Sequence, residues 1–340
     1  MAILLRGGLD GLAAVPAYGD RHYRIARGGL ALRAPGSSAG IVDLDGFFGL
    51  HPALASLHRF YAGGQMLVLP AAATSYRGRL HGPARAFLDG GVAEDGTARA
   101  GWLGRAAALL TEGDERGGVI WRAPRAAGMP LDGRAGLVAD LCHHHAGLAR
   151  LLASCGTTGP DGAPQTSAFR DDARELGTVL SAGLSGGIGP HLAVLESHGW
   201  DTHAEQGAHA GRLAIALAGL TDGLVALAEA SGDAWRHTVV LVATEFGRSI
   251  RMNSMGGTDH GIASAAFLLG GAVAGGRIVG PWPGLAPDRL HRGGDLVRTI
   301  DLHAVVKAVL IEHMGLPRES VERIVLPGTT AMGPPGLLRA

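Results

Sequence analysis

Short apolar runs alternate along the chain with polar, glycine-rich turns and with stretches of helical periodicity. The first run, "AILL", passes into "RGGLDG", and "QMLVLP" (65–70) passes into a polar loop and a helical pattern near 81–89. "HLAVL" (191–195) leads into "ESHGWDTHAEQGAHAG", and "TVVLVATEFGR" (238–248) runs into a loop. These runs are apolar at nearly every position, which is what a strand buried on both faces requires. Their alternation with helices predicts an α/β fold, a mostly parallel central sheet with helices on both faces.

Three helices carry the clearest patterns. After residue 211, Leu213, Leu217, Leu220, Leu224 and Leu227 recur at spacings of four and three, which is one face of a helix. "SGD" (231–233) closes that helix before the run at 238. "TSAFRDDARELGTVLSAG" (166–183) reads as a second helix ahead of the run at 191. "DLHAVVKAVLIEHMGLP" (301–317) opens on an Asp and ends on Gly-Leu-Pro, a well-placed start and stop. There is no internal repeat and no low-complexity tract. The expected organisation is one domain over 1–340, with a less regular insertion at about 90–165.

Composition narrows the functional classes. Of 340 residues 46% are hydrophobic, ample for a large core, and Lys+Arg and Asp+Glu both number 30. The net charge of zero lacks the basic footprint of a nucleic-acid binder. Lys307 is the only lysine, a bias that reflects codon usage before chemistry. Cys142 and Cys155 are too few for a disulfide framework or a cysteine zinc site, and Cys142 falls within a predicted helix. No apolar run reads as long enough to span a bilayer, so no transmembrane segment is expected. The start "MAILLRGGLDG" has no charged n-region, h-region or cleavage site. Two expectations follow: a cytoplasmic protein, or an exported one whose signal has been removed. Nothing in the pattern assigns an oligomeric state.

In an open α/β sheet, ligands bind outside the carboxyl ends of the strands. Asp10 follows the first predicted strand and His81 the loop after the second; Asp201 and His203 follow "HLAVL"; Glu245 follows "VVLVAT"; Asp259 and His260 lie in "GGTDHG". One Asp-x-His is an ordinary polar turn. Distant segments that deliver carboxylates and imidazoles to one sheet edge predict a divalent-metal site. His198 and His209 flank the "DTH" triplet as neighbours. "HHH" (143–145) would spread its imidazoles around a helix and reads as a solvated face. "GGLDGL" lacks the dinucleotide-binding fingerprint, and no Gly-x-Ser-x-Gly elbow occurs.

"LRGGLDGLAAVPAYGDRHYRIAR", "LDGFFGLHPAL", "GWDTHAEQ", "TVVLVATEFGRS", "GGTDHGIASAAFLLGGAVAGGRIVGPWPGL" and "DLHAVVKAVLIEHMGLP" resemble a bacterial family, domain of unknown function 1501. The likeness runs almost from end to end and is weakest between about 92 and 165. The resemblance implies an alkaline phosphatase-like fold, shared with sulfatases and phosphopentomutase-like enzymes, and a periplasmic or secreted location. It also implies a hydrolase with one or two divalent ions (zinc, manganese, magnesium or calcium) acting on a small phosphate or sulfate ester. By position, Asp10 resembles the acidic ligand after the first strand. Asp201 and His203 resemble a ligand pair on the second ion, Glu245 a bridging carboxylate, and His260 a late histidine ligand. Asp259 either binds the ion or orients His260.

The chain departs from the family in the second segment. Members commonly carry Arg-Ser-His-Phe-Asp at the start of the helix after the second strand, where the superfamily places its nucleophile. "GRLHGPARAFLDGG" keeps the register at His81 but puts Leu80 at the serine and Pro83 at the aspartate. Three expectations stand: a hydroxyl of Thr74, Ser75 or Tyr76 substitutes; water activated at a metal attacks directly; or the chain is a degenerate member that binds or assembles without hydrolysis. His81, Arg79 and Arg248 are the catalytic candidates. The two arginines are partners for an anionic group, or else surface ion-pair residues.

Overall fold

The computed structural model describes residues 1–91, 101–111, 120–122, 166–186, 189–329 and 331–339. Most of the expected insertion, with "HHH" (143–145), Cys142 and Cys155, lies outside the described residues.

The strands are β1 (Ala2–Arg6), β2 (Val42–Asp43), β3 (Gly49–Leu50), β4 (Met66–Ala73), β5 (Ile120–Arg122), β6 (Leu192–His198), β7 (Val240–Thr244), β8 (Ser264–Leu269), β9 (Arg277–Ile278) and β10 (Ile300–Asp301). β2 and β3 form a separate hairpin. The rest form one sheet in the order β10-β4-β8-β7-β1-β6-β5, with β9 beside β4. The four apolar runs read from the sequence are β1, β4, β6 and β7. β1 pairs in parallel with β6 and β7, whereas β8 is antiparallel to both of its neighbours, β4 and β7. The α/β architecture holds, but the sheet is mixed.

Successive residues of each strand enter opposite cores, as a strand of period two must. Ile3, Leu5, Val240 and Val242 pack with the helices Thr166–Gly186 and Arg212–Ser231. Ala2, Leu4, Leu241 and Ala243 pack on the other face with Trp102, Val305 and Leu310. All five leucines of the predicted stripe are buried on the first face, each contributing about 1.5–3 kcal/mol of transfer free energy. Two glycines permit the close helix contact: a Cβ on Gly223 would lie 2.2 Å from Phe169, and one on Gly177 2.6 Å from the Leu227 carbonyl. Arg212–His237 is long and apolar enough to cross a bilayer by length and composition, yet most of it is buried in this core.

The third helix is capped as predicted, Asp301 accepting from the His303 N–H, but it is α-helical only over Leu302–Ala308 and continues as a π-turn over Val309–His313.

The reversed direction of β8 matters for the site. Because it runs against β4 and β7, its first residue, Ser264, lies at the edge where those strands end. The segment preceding β8 is thereby brought to the carboxyl edge, alongside the segments that follow β1, β4, β6 and β7.

Candidate metal centre

Two backbone pairings hold the loops at this edge. Residues 247–249 pair with 259–262 through Gly247 N–Ile262 O, Gly261 N–Gly247 O and Ser249 N–Asp259 O. The turn after β6 pairs with 255–258 through Glu205 N–Met255 O, Gln206 N–Gly256 O and Thr258 N–Thr202 O. Together they place Asp201, His203, Asp259 and His260 side by side. Gly7 permits the approach of the first segment: its φ is +130°, and a Cβ there would lie 2.5 Å from the Asp201 nitrogen.

His81 reaches the same point from the first residue of the helix His81–Gly90. Ligand atoms of His81, Asp201 and His260 lie within 4.8 Å of one another, a spacing that one metal ion can bridge. His203 joins them: its Nε2 is 2.9 Å from His260 Nε2 and 3.1 Å from Asp201 Oδ1, and His260 Nε2 is 3.3 Å from the same oxygen.

The proton positions follow from the outer partners of the rings. His260 Nδ1 lies 2.7 Å from the Arg79 carbonyl, which only accepts, so Nδ1 carries the proton. His81 Nδ1 lies 3.1 Å from Glu245 Oε1, and His203 Nδ1 3.5 Å from Asp259 Oδ1, again carboxylate acceptors. In neutral His81 and His260 rings the Nε2 lone pair is left facing inward, whereas His203 has a carboxylate on both sides, 3.1 Å from Nε2 and 3.5 Å from Nδ1. Three imidazoles and a carboxylate then converge, with the N–H groups of His81 and His260 turned outward. This is the arrangement of metal-binding histidines held by a carbonyl or carboxylate behind them.

Asp201 is an anion even at low pH. Burial pushes its pKa up, but its contacts with His260 and Arg248 and the Arg248 charge outweigh that and hold it well below the usual carboxylate range. Glu245 behaves alike. Burial raises it, while His81, the backbone amides of Glu245 and Gly7, and the Arg85 charge lower it to about 2.

Three expected site residues are engaged elsewhere. Asp10 is buried, caps the Gly11–Ala14 turn through Oδ1, and its Oδ2 lies 2.6 Å from both Arg27 Nη2 and Gln206 Nε2. Arg248 is buried and binds the carbonyls of Gly7, Gly8, Trp200 and Thr258 as well as Asp201. It staples three backbone segments, 7–8, 200 and 258, around Asp201. Arg79 pairs with the buried carboxylate of Asp295, although its own side chain is partly exposed. Glu245 is at the centre but behind it: Oε1 accepts from Gly7 N (2.8 Å), His81 and Arg85 Nε (3.2 Å), and Oε2 from Thr244 Oγ1 (3.1 Å). Asp259 also sits behind a histidine, but that histidine is His203; Asn253 Nδ2 donates to it at 3.0 Å.

Leu80 occupies the N-cap of the His81 helix, supplies no capping bond and is 67% exposed. None of the substitute hydroxyls makes a hydrogen bond to the cluster among the described residues. Thr74 Oγ1 is buried and accepts from Tyr76 N, Tyr76 packs against Phe87, and Ser75 is exposed. His198 rests near Glu196 (3.9 Å), and His209 is exposed. Sequence reasoning missed Arg85. It stands four residues after His81, hence on the same helical face, a spacing that could have found it. Its Nε donates to Glu245, and its two terminal nitrogens have no hydrogen bond among the described residues.

Residues 174–325 match the model of a family described as "Protein of unknown function (DUF1501)". The match spans Asp201, His203, Glu245, Asp259 and His260 and supports the family resemblance; Asp10 and His81 precede it. Comparison with curated proteins and comparison with solved structures both give no match.

Proposed function

We propose that this protein is a metal-dependent hydrolase of the alkaline phosphatase-like type, acting on a small phosphate or sulfate ester. The observation that carries the reading is the convergence of His81, His203 and His260 Nε2 with the Asp201 carboxylate at the carboxyl edge of the sheet. A divalent ion held by these four groups supplies Lewis-acid polarisation of an ester oxygen and acidifies water.

The chain's own residues bind and orient. Arg85, whose terminal nitrogens have no hydrogen bond among the described residues, is placed beside Glu245 to pair with an oxyanion in the bidentate manner of a guanidinium. No hydroxyl of the described residues is hydrogen-bonded to the four groups, which favours water as the nucleophile. The test is turnover of aryl phosphate and aryl sulfate esters by metal-loaded protein. Activity that survives the double substitution D201A/H203A would show that the site lies elsewhere.

A second reading, a non-catalytic binding or assembly protein, is favoured by Leu80, whose exposed side chain fills the expected nucleophile position with nothing that reacts. A metal-loaded protein that turns over neither ester class would support it.

A further inference from the structure

We infer that the centre takes a single transition-metal ion of the zinc class, on His81, His203, His260 and Asp201, with Glu245 acting outside it as the partner that orients His81. The inference rests on the reading of the cluster as a metal site and goes beyond it in fixing the number of ions, the ligands and the kind of metal.

Spacing supports four donors on one ion. Two ligands at Zn–N distances of about 2.0–2.1 Å lie roughly 2.9–3.3 Å apart for angles of 90–109°. The triangle of His203 Nε2, His260 Nε2 and Asp201 Oδ1 has sides of 2.9, 3.1 and 3.3 Å. His81 Nε2 stands 3.5 Å from Asp201 Oδ2, on the other side of the same carboxylate. The rings also lie against each other, with His81–His260 centroids 4.5 Å apart and His203–His260 centroids 4.7 Å apart. Nε2 of His203 and Nε2 of His260 lie 2.9 Å apart beside the same Asp201 oxygen, the spacing of two donors to one ion.

A second ion would need further carboxylates, and the two expected for it, Asp10 and Glu245, are committed. Asp10 is neutralised by Arg27 and bonded by Gln206, and Glu245 accepts from His81, Arg85, Gly7 and Thr244. A bridging role for Glu245 would require Oε1 to give up three donors. Its contact with His81 Nδ1 instead forms the carboxylate–histidine–metal relay that fixes tautomer and ring direction. Three imidazoles and one carboxylate favour Zn²⁺ and its borderline neighbours over Mg²⁺ and Ca²⁺, which prefer oxygen.

Protein purified without chelator and then equilibrated with Zn²⁺ would be measured for metal content and by zinc-edge X-ray absorption. One ion per chain with three imidazoles is expected, and Mg²⁺ or Ca²⁺ in excess leaves it in place. H81Q lowers the imidazole count to two and weakens binding at least tenfold. E245Q weakens it by about 10–100-fold while keeping three imidazoles. Two ions per chain, or an H81Q variant that retains three imidazoles, would overturn the inference and leave the metal-site reading standing. No bound metal would overturn both. Circular dichroism of each metal-free variant separates lost ligation from lost folding.

Discussion

Nδ1 of His81 lies 3.1 Å from Oε1 of Glu245, a contact between the first turn of a helix and the residue that follows a central strand. Glu245 sits directly after β7, with its side chain fully buried, whereas the His81 side chain is partly exposed at the edge. The sheet therefore supplies a fixed carboxylate, and the helix supplies the imidazole that it orients.

That carboxylate makes stability depend on acid. Its pKa is lowered from 4.5 to about 2 in the folded protein, so its contribution is complete above about pH 4.5 and is lost as the pH falls toward 2. By linkage the amount is on the order of 3 kcal/mol. Urea midpoints of metal-free wild type and E245Q, taken from pH 7 to 3, are expected to differ most at neutral pH and to converge below about 4.5.

Removing the Arg248 guanidinium leaves the carbonyls of Gly7, Gly8, Trp200 and Thr258 short of a donor and Asp201 short of its cation. R248A is expected to lose about 3–5 kcal/mol, and R248K to recover little, since an ammonium cannot reproduce the planar fork. Thermal unfolding of both variants checks this.

Asp10 separates structural from ligating carboxylates. D10N leaves Arg27 buried without its charge partner, 2.6 Å away. The variant is expected to lose a few kcal/mol of stability. Zinc content at a temperature where it remains folded is expected to match wild type.

At the helix start, L80S would supply the missing cap. A serine oxygen there accepts from an early N–H of the His81 helix, and the expected gain is about 1 kcal/mol, read as a higher unfolding temperature.

Arg85 is predicted to serve the anion and not the metal. R85Q is expected to weaken binding of inorganic phosphate to the zinc-loaded protein by tenfold or more, with zinc content unchanged; calorimetry and elemental analysis read the two separately.

Much of this was legible in the chain. The near-continuous apolar runs marked β1, β4, β6 and β7, and the leucine stripe from Leu213 to Leu227 marked the helix that covers them. Asp201, His203 and His260 could be singled out because loops after buried strands collect at one edge. The direction of β8 could not be read, since an apolar run looks the same in either sense and its orientation depends on pairing with β4 and β7. Roles within the set were equally hidden. Whether Asp10 faces the centre or Arg27, and whether Glu245 binds an ion or His81, is decided by side-chain direction and by tertiary partners, among them His81, 164 residues from Glu245, and Gln206, 196 residues from Asp10. Sequence spacing carries neither. Arg248 fits an anion receptor by residue type, and its bonds to four carbonyls and Asp201 depend on tertiary partners that spacing does not show.

The most direct measurement is an anomalous difference map at the zinc edge from crystals of the zinc-loaded protein. The account predicts one peak per chain, bonded to Nε2 of His81, His203 and His260 and to the Asp201 carboxylate, with Glu245 behind His81. A peak bonded to Asp10 or Glu245, or no peak at the carboxyl edge, would contradict it.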